Sequence, residues 1–147
     1  MGLDSYIKAS LYISPHRRDT YEAQQSIVRA LNIYPDEGSS FIEISFTALY
    51  WRNCWYMESR FSSLNDDNNN GEMGMENLKS LKQDCIDIIN TSNKNEQLDL
   101  FKRKFKYDDV DSLDSIIPIL KKTVDRLSHI IESPQYQECT FQYQSSW

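Results

Sequence analysis

The chain is short of the residues on which most compact catalytic motifs are built. It has four glycines in 147 residues, and they stand too far apart to form a P-loop, a GxGxxG turn or a GxSxG elbow. Two histidines, His16 and His129, join three cysteines, Cys54, Cys85 and Cys139. Together they give no HExxH, CxxC or HxE…PCxxC spacing, which excludes the familiar zinc frameworks. An odd number of cysteines behind no secretory leader fits reduced thiols rather than a disulfide scaffold. No apolar run approaches the roughly 20 residues that a membrane-crossing helix needs, and the mean hydropathy is -0.63. Basic residues are also scarce. Sixteen Lys and Arg face 22 Asp and Glu, for a net charge of -6, and contacts to nucleic-acid phosphates depend on those missing cations. The expectation is a chain without membrane association, without a cofactor or resident metal, and without general nucleic-acid binding. Its opening, Met1-Gly2-Leu3-Asp4-Ser5-Tyr6, lacks a basic-then-apolar leader and places Tyr6 where a myristoylation signal needs Ser or Thr. A cytoplasmic protein is expected.

What is present suits one domain over residues 1–147: 39% hydrophobic and 12% aromatic residues in a length that can bury its own core. From Leu3 to Ile13 apolar residues hold the odd positions, with only Ser5 interrupting, a period of two that marks a strand with one buried face. Pro15 ends it. Asp19 and Glu22 form a capping-box pattern ahead of a helix striped by Ala23, Ile27, Val28 and Leu31. Tyr34-Pro35-Asp36-Glu37-Gly38 is turn chemistry. Phe41 to Tyr50 alternates again, with Ile42, Ile44, Phe46 and Ala48 facing one way. Trp51 to Phe61, free of Gly and Pro, reads as a helix.

The stretch from Leu64 to Gly74, with its run Asn65-Asp66-Asp67-Asn68-Asn69-Asn70-Gly71, reads as a loop. Leu78, Leu81, Cys85, Ile88 and Ile89 then recur at helical spacing, and Leu98, Phe101 and Phe105 suggest a shorter helix. Lys102-Arg103-Lys104 with Lys106 is the one basic run; mixed with Asp108 and Asp109, it reads as a solvated face. A longer helix is expected over residues 115–132, with Ser115 as N-cap so that Pro118 falls in the first turn. Cys139, Phe141 and Tyr143 alternate with polar residues as a last strand. This order predicts an α+β fold, a small sheet of about three strands with four or five helices packed mainly on one face.

Three stretches resemble a family of small uncharacterised phage-encoded proteins. They are the opening Met1-Gly2-Leu3-Asp4 with Tyr6-Ile7-Lys8-Ala9, the central Tyr50-Trp51-Arg52, and the closing Tyr143-Gln144-Ser145-Ser146-Trp147. Members begin MGLD, carry a YWRKANxIHxWF-like helix and end in YYQSSW. The matches cover roughly a fifth of the chain and fall in the expected order. The resemblance brings no activity with it. Where the family pattern shows His this chain has Glu58, and where it shows the later Trp it has Arg60, so no catalytic histidine is implied for that helix.

The features that could bind a ligand are few. Tyr50, Trp51, Trp55 and Tyr56 gather around Arg52, and stacking surfaces beside a guanidinium can hold a base and its phosphate; the competing reading is a set of core aromatics. Trp147 either completes the core or lines the same site. Glu58 would supply a base to an enzyme that used Arg52 as anion holder. Asp66, Asn68 and Asn70 with Gly71 match the first half of a calcium loop, but its twelfth position is Asn77 rather than a bidentate Glu. Cys54 would need His16 or His129 beside it to act as a nucleophile. The function expected is that of a non-catalytic phage accessory protein in the cytoplasm of the infected cell. It would bind a host protein, interfering with a host enzyme, or sequester a small nucleotide defence signal; the alternative is a small enzyme acting on a nucleotide or modified base.

Overall fold

A computed structural model describes residues 2–13, 18–32, 42–65 and 71–146, with the backbone alone at 18–21 and 65. The alternation at the start of the chain becomes strand β1, Asp4–Ile13, with Leu3, Ser5, Ile7, Ala9 and Ile13 buried. Helix α1, Arg18–Leu31, follows. It starts one residue ahead of Asp19, which therefore lies inside the helix rather than ahead of it. Its buried positions are Gln24 and Val28, whereas Leu31 is 63% exposed and Ala23 also faces solvent. The expected stripe is rotated. The turn at Tyr34–Gly38 lies outside the described residues.

Strand β2, Ile42–Arg52, is longer than the alternation suggests and takes up Trp51 and Arg52, which were expected on a helix. Pairing explains the extension: Trp51 lies opposite Ser5 and Arg52 opposite Asp4 on antiparallel β1. The strand then stops at Asn53, whose φ of 55° is a left-handed conformation that Asn tolerates. The Asn53 N–H donates to the Leu3 carbonyl at 2.7 Å. Helix α2, Trp55–Asn65, begins only after this corner. A register shift between Ile7 and Lys8, opposite Leu49 and Thr47, leaves Ala48 as a bulge residue. One extra residue exchanges the two faces of a strand. The inward row therefore passes from Ile42, Ile44, Phe46 and Ala48 to Leu49 and Trp51.

The expected long loop ends in a short strand, β3, Glu72–Met73. Helices α3, Met75–Asn90, α4, Lys94–Phe105, and α5, Ile117–Glu132, come next. Asn93 caps α4 by accepting from the Asn95 and Glu96 amides. At α5 the N-cap is Ile116, not Ser115, and no side chain caps it. Pro118 does fall in the first turn, where its missing N–H costs nothing. A short 3-10 turn, Pro134–Glu138, leads to strand β4, Thr140–Ser146.

The sheet is antiparallel with order β2-β1-β4-β3, one strand more than the alternation suggested. Ile7, Ala9, Leu49, Trp51, Phe141 and Tyr143 meet Met57 and Phe61 of α2, Leu78, Leu81 and Cys85 of α3, Phe101 and Phe105 of α4, and Leu120, Leu127 and Ile130 of α5. So α2 to α5 cover one face. The other carries Lys8, Ser10, Tyr12, Glu43 and Gln142, the polar side allowed to an antiparallel sheet. The fold is α+β, and no described helix is long and apolar enough to cross a membrane.

Candidate functional site

The strand corner separates the aromatic cluster expected around Arg52. Trp51 turns into the core, 4% exposed, and donates its indole N–H to Thr123 Oγ1 of α5 at 2.9 Å. Tyr50 points to the opposite face, where its hydroxyl donates to Asp4 Oδ1 at 2.9 Å. That bond to a carboxylate, with some desolvation, raises the Tyr50 pKa above its ordinary value. Trp55 lies on the outer side of α2, partly exposed. Tyr56 is buried and packs edge-on against Phe101 and Phe105, with centroids at 5.4 and 5.6 Å. Arg52 is exposed, and its side chain makes no hydrogen bond or ion pair with another described residue.

What the structure does assemble at Arg52 is a groove of about 500 Å³. Thr47 to Arg52 form one wall, so the groove follows β2, the last strand of the sheet among the described residues. Ile119, Lys122, Thr123 and Arg126 form the other, a stripe at spacings of three and four that occupies one face of α5. The Trp51–Thr123 bond ties the two walls together. Arg126 spans the groove: its Nε donates to the Ala48 carbonyl at 2.9 Å and one terminal nitrogen to the Tyr136 hydroxyl at 3.0 Å, beneath a cation–π contact of 6.0 Å to the Tyr136 ring. Three cations, Arg52, Lys122 and Arg126, thus line a groove whose wall includes no carboxylate. Sequence reasoning found Tyr50, Trp51 and Arg52 but missed Lys122 and Arg126. The signal was Thr123, a polar residue set within the apolar stripe of that helix.

Glu58 does not join Arg52. It is held by Tyr143, whose hydroxyl lies 2.6 Å from Glu58 Oε2 and 3.0 Å from Ser5 Oγ. A phenol has one proton, so Tyr143 donates to the carboxylate and Ser5 donates to Tyr143. Burial, followed by the bond to Glu58, pushes the Tyr143 hydroxyl well above the usual tyrosine range. This network ties β1, α2 and β4 together, and Glu58 is not among the residues lining the groove.

Two other hollows hold paired charges, although the buried Arg60 Nε has no hydrogen-bond partner among the described residues. On the open sheet face a concavity of about 510 Å³ is lined by Lys8, Ser10, Glu43, Glu72 and Gln142 among others. There Ser45 donates to Glu43 at 3.0 Å and Lys8 lies 4.0 Å from it. Hydrogen bonds from Ser10 and Ser45 lower the Glu43 pKa, with a smaller contribution from Lys8. Between α2, α3 and α4, Arg60 and Lys104 share Asp84 at 2.6 and 2.8 Å. Arg60 also donates to the Lys104 carbonyl at 2.9 Å and stacks on Phe105 at 5.4 Å. The basic run thus supplies Lys104 to a packed ionic cluster rather than only a solvated face.

Cys54 is 2% exposed, its thiol donates to the Arg52 carbonyl at 3.4 Å, and burial raises its pKa. His129 is exposed and packs edge-on against Tyr136 at 6.0 Å, and among the described residues no hydrogen bond joins it to Cys54. His16, Trp147 and the calcium-loop candidates Asp66, Asn68 and Asn70 lie outside the described residues. Among those described, no group of three His, Cys, Asp or Glu side chains could hold a metal ion. No protein-family model, curated protein or solved structure matches the chain.

Proposed function

We propose that the protein is a non-catalytic binder carried by a phage, acting in the cytoplasm of the infected host through the β2–α5 groove. There it interferes with a host enzyme or holds a host defence nucleotide. The observation that carries this reading is the set of three cations, Arg52, Lys122 and Arg126, around a groove with no acidic side chain in its lining, in a chain of net charge -6. An anionic ligand entering this groove meets cations and no carboxylate in its lining.

Catalysis needs a proton-moving group beside the anion holder. In this groove the thiol of Cys54 is buried with a raised pKa, and Glu58 is engaged by Tyr143. That disfavours an enzyme that pairs Arg52 with Glu58. Of the two binding modes, engagement of a host protein is favoured by Ile44 and Phe46, 37% and 40% exposed beside the groove. The test is native mass spectrometry of the protein recovered from infected cells, in parallel with Arg52→Ala/Lys122→Ala. A stoichiometric polypeptide or nucleotide that leaves with the double substitution supports the groove; a ligand retained by the variant moves the function elsewhere.

A further inference from the structure

We propose that β2 accepts an extended acidic segment of a partner protein as an added strand, a reading that rests on the groove being the binding site. The sheet ends at β2: its order is β2-β1-β4-β3, so among the described residues no strand pairs with the outer side of β2. An edge leaves every second backbone N–H and C=O of the strand without a ladder partner, and such an edge is a template for another chain. The bulge at Ala48 divides this edge into two parts. From Ile42 to Thr47 the strand is regular against β1. From Ala48 onward Arg126 already holds the Ala48 carbonyl, and the edge becomes the wall of the groove. The first part offers backbone pairing and the second offers charge.

Side chains repeat this division. Ile44 and Phe46 belong to the inward row of β2 yet are 37% and 40% exposed, because the helix layer stops short of them. Phe46 meets only the edge of the Tyr136 ring among the described aromatic contacts, at 5.9 Å. A strand added beside Ile42–Thr47 lays its own alternate side chains over Ile44 and Phe46, completing the core-side surface. Its continuation reaches Arg52, Lys122 and Arg126, where carboxylates are the complementary charge. The partner segment is therefore extended, apolar at alternate positions and acidic toward the groove. A nucleotide would use the cations and stack its base on Phe46 at most, leaving the backbone edge of Ile42–Thr47 and Ile44 unused.

The test uses the whole protein labelled with ¹⁵N and three probes: an octapeptide of alternating valine and glutamate, its valine–lysine counterpart, and inorganic pyrophosphate. The valine–glutamate peptide should bind and slow hydrogen exchange at alternate amides within Ile42–Thr47, while the valine–lysine peptide should not. Ile44→Ser/Phe46→Ser, which adds no charge beside the groove, should weaken peptide binding about tenfold or more and leave pyrophosphate binding unchanged. Both positions are exposed, so the variant should fold, and its melting curve checks that. Arg52→Ala/Lys122→Ala should weaken both probes. Pyrophosphate binding without any peptide effect on the β2 amides overturns strand addition and leaves the anion groove standing. Equal binding of both peptides overturns the acidic preference. If neither pyrophosphate nor peptide binding depends on Arg52 and Lys122, the groove reading falls with it.

Discussion

Two cationic regions of this molecule are built from similar residues and come to opposite ends. Around Asp84, Arg60 and Lys104 are drawn inward: the Arg60 side chain is 12% exposed and that of Asp84 10%, and phenylalanine rings cover the guanidinium. Around the β2–α5 groove, Arg52 and Lys122 remain in water with no acid among the lining residues. The difference is a buried, shared carboxylate: Asp84 bonds both inner cations, whereas Asp4, opposite Arg52 on β1, accepts from Tyr50. A buried guanidinium without a counter-charge carries a desolvation penalty of several kcal/mol, so the inner cluster exists only because Asp84 serves both cations. The outer cations need no partner to fold and remain available to one from outside.

The largest effect that would test this contrast is Asp84→Ala. Removing the shared acid strands Arg60 in a packed environment and should destabilise the fold by about 3–5 kcal/mol, read from urea unfolding. A loss no larger than that of an exposed ion pair would mean that the cluster is not closed. Next, Tyr143→Phe leaves Ser5, fully buried, and Glu58 without their common partner, and should cost about 1–3 kcal/mol.

The closed region should also respond to alkali in a way the groove does not. Burial pushes the Cys85 thiol up to about 12, while an unfolded thiol ionises near ~8.5. Its folded pKa is the higher one, so its contribution is complete below the unfolded value and is lost as pH rises through that window. Unfolding free energy should fall from roughly pH 8.5 upward, and Cys85→Ala should flatten that slope. Smallest of all is the effect of Arg52→Ala on stability. Its melting temperature should match that of the parent, while pyrophosphate affinity measured by calorimetry drops. A marked loss of stability would place Arg52 with the inner cations instead.

Much of the fold was readable in the sequence because the two periodicities are clean in β1, α3, α4 and α5. The bulge was not: Ile42-Ile44-Phe46-Ala48 alternates through the point where the register shifts, and only the pairing with Ile7 and Lys8 reveals it. The corner after Arg52 carried a signal, Asn53, which favours the left-handed turn it adopts. Absence of Gly and Pro hid it, and so Trp51 and Arg52 were assigned to a helix. Arg52 was recognisable as a site residue. Lys122 and Arg126 were not, because charged residues on an amphipathic helix look like any solvated face until the neighbouring strand edge is known. The Arg60–Asp84 pair joins residues from two helices, and no local pattern announces such a contact.

The central position of β1 has a consequence for the order in which the molecule can assemble. β1 pairs on one side with β2 and on the other with β4, and the Ser10–Thr140 contact closes a span of 130 positions. During synthesis, β2 emerges soon after β1, but the other side of β1 stays open until β4 has been made. Closing so long a loop is entropically slow. Through that interval the nascent chain presents the open edge of a two-stranded ribbon, with Ile7 and Ala9 of β1 exposed and the helices that cover them made but not yet anchored. Chain stalling before β4 should therefore yield aggregation rather than a stable smaller domain.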